Sequence, residues 1–408
     1  MSPKSRLKSD AKGSLLVIGL DIAALATSAH NAGYCVHVVD FYGDLDVRAV
    51  ADRHLSLVEQ VPGQSCGRVE EASGDALVGL ARRLARDCSY DGILLSSGLE
   101  DSPDDLEALE DIAPILGNTP TVMSHVRDRR RFFESLERQG IPHPRTYFVS
   151  NSTEAIWAAE ELGYPVVVKP NAGFGGANIR FARNEDELVS VIHEDDFLIQ
   201  EYVEGVAAST SIMAARGRSV TLTVNWQLLG LSSLGSPGAF SYCGNVVPLD
   251  ASDAAFSKCR DVSAKVAEGF GLVGSNGVDL VIDELGRPWV IEVNPRFQGT
   301  LECVERVLGF NLVEAHINAC REGHLPTTGR REGYCVRLVL YDRGRSVVPD
   351  LRLFPEVRDV PVPGVIVERG EPLCSVLVEG ESSGDVLLRS FEVAEAVYSS
   401  LRGCEDDG

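Results

Sequence analysis

The sequence predicts a multidomain protein of mixed α/β and α+β class, and three observations carry that prediction. Leu15-Leu16-Val17-Ile18 leads through a helical stretch into Val36-His37-Val38-Val39-Asp40, a βαβ opening. From Val126 the text changes to a basic amphipathic helix, and residues 277–296 read as a strand, a polar turn and a second strand. The 408 residues are enough for roughly two to four domains with ordinary hydrophobic cores.

Residues 1–12 are charged and aperiodic, a loose tail. After the βαβ opening, residues 75–87 have helical spacing and Gly92-Ile93-Leu94-Leu95-Ser96 is a buried strand, so residues 13–118 predict a Rossmann-like N-terminal domain. Only Gly19 stands where a dinucleotide fold needs GxGxxG, and a parallel sheet without a dinucleotide is the reading. From Val126 a helix runs to Gly140. Ile141-Pro142-His143-Pro144 is extended, residues 146–149 form a strand, and Asn151 with Glu154 three residues on marks a helix start. Pro165-Val166-Val167-Val168-Lys169 is a continuous strand closed by Pro170, which leaves Lys169 at its end. Residues 228–248 read as a long loop. The stretch from about 330 holds short strands between Gly and Pro and a final helix over about 384–401, a small α+β extension. The divisions expected are 13–118, 119–328 and 329–408.

Composition narrows the function classes. The net charge of −22 repels phosphate backbones and anionic lipid, so neither nucleic acid nor a membrane is expected as a partner, and any phosphate site must be locally basic or glycine-rich. The ten cysteines form no CxxC pair and the eight histidines no HxxxH pair, which directs a search for metal ligands to oxygen donors. Lys4, Arg6, Lys8 and Lys12 ahead of the apolar residues 15–20 invite comparison with a secretory leader, but Asp21 interrupts the pattern and a cytoplasmic location is expected.

Beyond Lys169, the run Asn171-Ala172-Gly173-Phe174-Gly175-Gly176-Ala177-Asn178 places Gly173, Gly175 and Gly176 between two strands. Backbone amides there can approach a phosphate without a Cβ in the way, with Lys169 as the point charge; a glycine-rich hairpin beside a solvated lysine is the other reading. In the hairpin over 277–296, alternation sends Ile291 and Val293 to the core and Glu292 and Asn294 to the opposite face, with Asp279 across from them. Three oxygen ligands then converge, a set suited to Mg²⁺ held jointly with substrate phosphates, and Arg296 follows as a partner for a phosphoryl oxygen. An edge hairpin with solvated acids is the alternative. The strand Phe197-Leu198-Ile199-Gln200-Glu201 leads into Tyr202-Val203-Glu204-Gly205, where backbone groups can pair with an adenine edge and a carboxylate can take ribose hydroxyls.

In this order of parts the chain resembles the ATP-grasp superfamily. More narrowly it is similar to a carboligase-like group related to biotin carboxylase, through Val39-Asp40-Phe41-Tyr42-Gly43-Asp44, Gly244-Asn245-Val246-Val247-Pro248 and Asn294-Pro295-Arg296-Phe297-Gln298-Gly299-Thr300. The resemblance implies a Rossmann-like pre-ATP-grasp domain, a central two-lobed ATP-grasp domain and a small C-terminal extension. It implies that Lys169 binds nucleotide phosphates, that Gln200, Glu201, Val203 and Glu204 or another nearby acid hold adenosine, that Asp279, Glu292 and Asn294 hold Mg²⁺ or Mn²⁺, and that Arg296 matches the arginine following them. Where relatives carry a lysine after an aspartate, Arg129 follows Asp128 here, in a register that Arg127, Arg130 and Arg131 leave open. The implied reaction is an ATP- and Mg²⁺-dependent ligation of a small-molecule carboxylate to an amine or thiol through an acyl phosphate, with ADP and phosphate released; relatives are often homodimers.

Rival readings remain. Bicarbonate could be activated as carboxyphosphate for a biotin or purine-pathway carboxylation, although residues 206–226 offer only Arg216 and Arg218 as basic residues. A non-catalytic ATP-binding sensor is a second rival. Gly63-Gln64-Ser65-Cys66-Gly67 fits a GxSxG nucleophile elbow in spacing but follows Pro62, and reads as a glycine-rich turn.

Overall fold

In the computed structural model, residues 11–68, 73–170, 176, 178–192, 197–327 and 333–404 are described. The chain begins with β1 (Ser14–Ile18), α1 (Ala23–Asn31), β2 (Cys35–Asp40), α2 (Leu45–Val50), β3 (Arg53–Ser56), α3 (Gly74–Ala85), β4 (Gly92–Leu95) and α4 (Pro103–Glu110). Its four strands lie parallel in the order β3-β2-β1-β4. Every residue of β1, β2 and β4 is buried, which is why these strands read as continuous apolar runs.

The expected single helix from Val126 is two, α5 (Pro120–Arg127) and α6 (Arg129–Arg138). Asp128 between them takes an extended backbone, and its carboxylate accepts from the Arg131 amide, so an N-cap interrupts what periodicity alone joins. A small lobe follows: β5 (Thr146–Val149), α7 (Ser152–Leu162), β6 (Val166–Pro170), β7 (Arg180–Ala182), α8 (Glu185–Val191) and β8 (Phe197–Glu201), with the antiparallel order β5-β8-β6-β7. Asn151 caps α7 as expected: its side chain accepts from the Glu154 amide, while Glu154 accepts from Ser150.

The large lobe comprises β9 (Val206–Ala215), β10 (Arg218–Leu229), β11 (Tyr242–Val247), α9 (Asp253–Phe270), β12 (Gly274–Ile282), β13 (Pro288–Asn294), α10 (Leu301–Leu308) and α11 (Leu312–Glu322). The expected loop over 228–248 is shorter, because β11 pairs back on β10, with Gln227 opposite Asn245, and leaves residues 230–241 as the connection. The chain ends in β14 (Tyr334–Tyr341), β15 (Ser346–Val347), β16 (Val357–Arg358), β17 (Ile366–Val367), β18 (Pro372–Gly380), α12 (Ser383–Ser400) and β19 (Arg402–Gly403). β14, β18 and β16 extend the large lobe's sheet to eight strands, in the order β13-β12-β9-β10-β11-β14-β18-β16. The GxSxG stretch is a turn fastened to the C-terminal segment, with Gly63 donating to the Gly364 carbonyl and Cys66 to that of Ile366.

Two features lock the N-terminal sheet onto the large lobe. Leu15, Val17 and Leu25 share a core with Leu301, Val304 and Val313, so α1 packs against α10 and α11. Asn118, 2% exposed, donates from Nδ2 to Asn276 Oδ1 at 2.6 Å and the Pro295 carbonyl at 2.9 Å, and accepts from the Val273 amide at 2.8 Å. It ties the end of the N-terminal region to β12 and to the residue after β13. Asn118→Ala strands three buried polar groups, and a loss of about 2 kcal/mol is expected in urea denaturation, with the midpoint falling and the slope unchanged.

Candidate active site

A cavity of about 510 Å³, the size of a small-molecule site, lies where the two lobes, the N-terminal sheet and the C-terminal strands meet. Lys169 and Gln200 enter it from β6 and β8, Asp279 from β12, Glu292 and Asn294 from β13, and Arg296 from the turn that follows.

In the hairpin, Asp279 stands opposite Glu292 and Gly277 opposite Asn294, so the alternation expected from the sequence brings the two carboxylates together. A bulge after Asp279 adds one residue to β13, and Ile291 is that residue. It is turned to the cavity wall rather than the core, and Val290 fills the core position instead. Asn294 Nδ2 donates to Asp279 Oδ2 at 3.1 Å. Burial, and then the neighbouring Glu292 charge, push the Asp279 carboxyl well above its usual range.

Lys169 is 7% exposed at the end of β6. Burial and the nearby Arg129 guanidinium pull its ammonium down to about 8, against the opposing attraction of Glu292 and Asp279. Gly173 and Gly175 lie outside the described residues. Gly176 is described, and its backbone passes so close to the Phe240 carbonyl, at φ +77°, that a side chain would collide with it. Gly176 thus lies against the β10–β11 connection.

Of the arginines around Asp128, Arg127 holds Asp101 through two hydrogen bonds and lies 3.9 Å from Glu292. Arg129, half-buried at the start of α6, feels the Glu292 charge as well. Arg130 lies over the Phe148 ring and Arg131 pairs with Asp128, and none of the four arginines is among the residues that line the cavity. Along the strand linking the lobes, Gln200, Glu201, Tyr202 and Val203 line the cavity. Gln200 donates to the Thr146 hydroxyl at 2.8 Å, and Glu201 accepts from Arg145. Glu204 is exposed and outside the lining.

Sequence reasoning missed the groups that position these residues. Glu100 accepts from Arg296 Nε at 2.7 Å and from the Gly98 and Leu99 amides; Arg296 also donates to Asn294 Oδ1 at 3.3 Å. Burial opposes the Glu100 charge, but Arg296 and Arg127 outweigh it and hold the carboxyl at about 2. Arg337, on β14, is likewise unsuspected and joins Asp21 to Asp359. The available signal for Glu100 was its place just past the C-terminal end of a parallel strand, the edge where such sheets present functional groups.

This two-lobed cleft, with a lysine on one lobe facing a carboxylate hairpin on the other, is an ATP-grasp domain: residues 126–300 match the ATP-grasp domain family model. The match covers 175 of the 408 residues, so the central part of the chain carries an ATP-grasp domain. It is 23% identical over 367 residues to the uncharacterized protein MJ0776 of Methanocaldococcus jannaschii, covering 89% of this chain and 88% of that one. Its match to the C-terminal section of the carbamoyl phosphate synthase large chain of Methanopyrus kandleri, 27% identical over 220 residues, covers 52% of this chain and 40% of that protein. The fold is similar to that of a biotin carboxylase from Campylobacter jejuni, with TM-score 0.70, 15% identity, and 95% and 91% of the two chains covered. It is as similar to an L-amino acid ligase from Bacillus licheniformis, with TM-score 0.70, 15% identity, and 97% and 100% covered. Among the described residues, no helix is long and apolar enough to cross a membrane.

The Glu100 carboxyl titrates lower in the folded chain than the 4.5 of an unperturbed glutamate, so its contribution is complete above that value and is lost as pH falls towards 2. Wild type should exceed Glu100→Gln in stability by about 3 kcal/mol at pH 6, and the gap should close as the pH is lowered from about 5 towards 2 in urea titrations.

Proposed function

We propose that the protein is an ATP- and Mg²⁺-dependent ligase that joins a small-molecule carboxylate to an amine through an acyl phosphate. The observation that carries this reading is the convergence, in one cavity, of Lys169 with the Asp279–Glu292 pair at the end of the strand that links the lobes. The fold alone does not choose among superfamily reactions, since a carboxylase and a ligase are matched equally well.

The residues fit a divalent cation. Asp279 and Glu292 face each other, burial and then the Glu292 charge raise the proton affinity of Asp279, and the Asn294 amide oxygen completes a hard oxygen set. When bound, Mg²⁺ would neutralise phosphate oxygens of the nucleotide.

The chain's own residues account for the rest. Gln200 through Val203 present the linking strand's backbone to the base, and Lys169 meets the phosphates as a point charge in a water-poor site where its effect is large. Arg296, oriented by Glu100, and Arg129 add positive charge around the same end. A carboxylate oxygen of the substrate attacks the γ-phosphorus and the bond to the bridging oxygen breaks, releasing ADP. The amine then attacks the acyl carbon, and phosphate leaves with the former carboxylate oxygen. The protein supplies position and charge, with no covalent enzyme intermediate.

The test is ADP release from Mg·ATP with pooled carboxylates and pooled amines, and separately with bicarbonate. Release that needs both an organic acid and an amine is expected, and both Lys169→Ala and Glu292→Ala should lower it at least ~100-fold without loss of fold. Dependence on bicarbonate instead would make the protein a carboxylase, and ATP binding without release under any pool a sensor.

A pH signature follows from Lys169. Its ammonium must be charged to meet phosphate, and in the free chain it titrates at about 8. Calorimetric affinity for Mg·ATP should therefore fall with rising pH, by roughly tenfold per unit above pH 8, and Lys169→Met should flatten that dependence.

A further inference from the structure

Past the phosphoryl end, the same cavity continues between the C-terminal ends of β1 and β2 and the strands β14 and β18. Asp40, Tyr42 and Asp44 line it from the N-terminal sheet, and Asp359 from the turn after β16. With Asp21, four carboxylates border this arm, and among the described residues Arg337 is the cation that lines it with them. That cation is already committed. Its Nη1 donates to Asp21 at 2.8 Å and the Gly299 carbonyl at 3.0 Å, and its Nη2 donates to Asp21, Asp359 and the Ser375 hydroxyl at 3.0, 2.8 and 3.1 Å. Among the described residues Asp44 has no such ion pair and accepts from Gln60 at 2.7 Å, while Asp40 Oδ2 accepts from the Gly43 amide at 2.8 Å and feels the charge of Arg48, whose Nε is committed to the Gly43 carbonyl.

A second observation is independent of the charge count. Asp40 is 1% exposed, and its Oδ1 has no hydrogen-bond partner, although the Ser56 hydroxyl is near it; the buried Tyr42 hydroxyl in the same wall also lacks one. Buried polar atoms left unpaired are costly unless a ligand completes them. Burial and the surrounding carboxylates raise the proton affinity of Asp44, as expected where positive charge is missing. Among the described residues, no three His, Cys, Asp or Glu side chains converge to hold a metal ion.

We propose that this arm seats the nucleophile, and that the nucleophile is an organic amine arriving as a cation without a carboxylate of its own. The proposal rests on the ligase reading above and names the substrate class of that site. An ammonium brings hydrogen-bond donors to Asp40 Oδ1 and Asp44 and can donate to the Tyr42 oxygen. An amino acid or bicarbonate would instead set a negative charge among carboxylates, with Arg337 occupied. The reaction balances: carboxylate, ATP and the ammonium give amide, ADP and hydrogen phosphate. The ammonium sheds two protons, one carried off on phosphate and one released to solvent.

The test is calorimetric binding to the full chain without nucleotide, using 1,4-diaminobutane and butylamine as cations, 4-aminobutanoate as zwitterion and 1,4-butanediol as neutral isostere. The cations should bind at least tenfold more tightly than 4-aminobutanoate, the diol should not bind, and Asp40→Asn and Asp44→Asn should each weaken the cations at least tenfold. Asp44→Asn keeps an oxygen for Gln60, and a thermal melt checks that each variant is folded. Binding of 4-aminobutanoate as tight as that of the cations, equal cation affinity in a folded Asp44→Asn, or no binding of either cation would overturn the proposal. The two readings fail separately. ADP release that requires a carboxylate and an anionic or zwitterionic acceptor sinks the cation site and keeps the ligase; cation binding that depends on Asp44 without carboxylate-dependent release does the reverse.

Discussion

The ion pair between Glu100 and Arg296 is the contact on which the arrangement of the cleft depends. Glu100 is fixed by two backbone amides just past β4, Arg296 follows β13, and together they join the N-terminal sheet to the carboxylate hairpin. From Arg296 the connection passes to Asn294 and from Asn294 to Asp279, which faces Glu292 across the strand pair. An unbroken line of hydrogen bonds thus runs from the loop after β4 into the carboxylate pair of the hairpin. A buried ion pair gives little net stability over an apolar contact of the same shape, so its retention is better explained by the position it imposes. It also has an electrostatic cost, because an arginine bonded to a carboxylate offers less positive charge to a phosphate. Lys169, whose strand carries no such partner, is left as the less compensated cation.

The cavity is electrically divided against the whole-chain field. A chain of net charge −22 repels a nucleotide at long range, and Arg127, Arg129, Lys169 and Arg296 gather around one end to reverse this locally. The cations crowd each other: burial and Arg129 lower Lys169, while burial and Glu292 raise Asp279. Each shift is a penalty on a charge held without its complement, and each is relieved when phosphates and a divalent cation enter together. The site is in that sense preorganised for a charged ligand rather than for the empty state.

How much of this was legible follows from the range of the interactions. The hairpin was readable because alternation has period two and its polar turn is local; Lys169 was placed by the proline after it. The break at Asp128 was not, since capping and helix periodicity compete over a few residues and the cap won. Ile291 was misplaced because a bulge shifts the alternation by one, and no local residue type announces it. Glu100 and Asp21 find their arginines 196 and 316 residues away, so no spacing rule could pair them. The resemblance supplied the order of parts, but not these pairings, which come from the N-terminal sheet meeting the hairpin and β14.

Arg337 gives the cavity its asymmetry. Clamped between Asp21 and Asp359, it lies between the basic phosphoryl end and the acidic arm of Asp40 and Asp44. Two like charges 4 Å apart at an effective dielectric near 20 repel by about 4 kcal/mol, enough to decide which end of a mixed-charge substrate enters which half of the cleft. A phosphate that strayed into the acidic arm would meet carboxylates with, among the described residues, no uncommitted cation lining it, and an ammonium at the other end would meet Lys169 and Arg129. In the proposed reaction, orientation of the two substrates is therefore set by charge before any shape selection acts. Arg337 with both aspartates carries a net charge of −1, and removing either one would leave a neutral ion pair there, which would weaken that division.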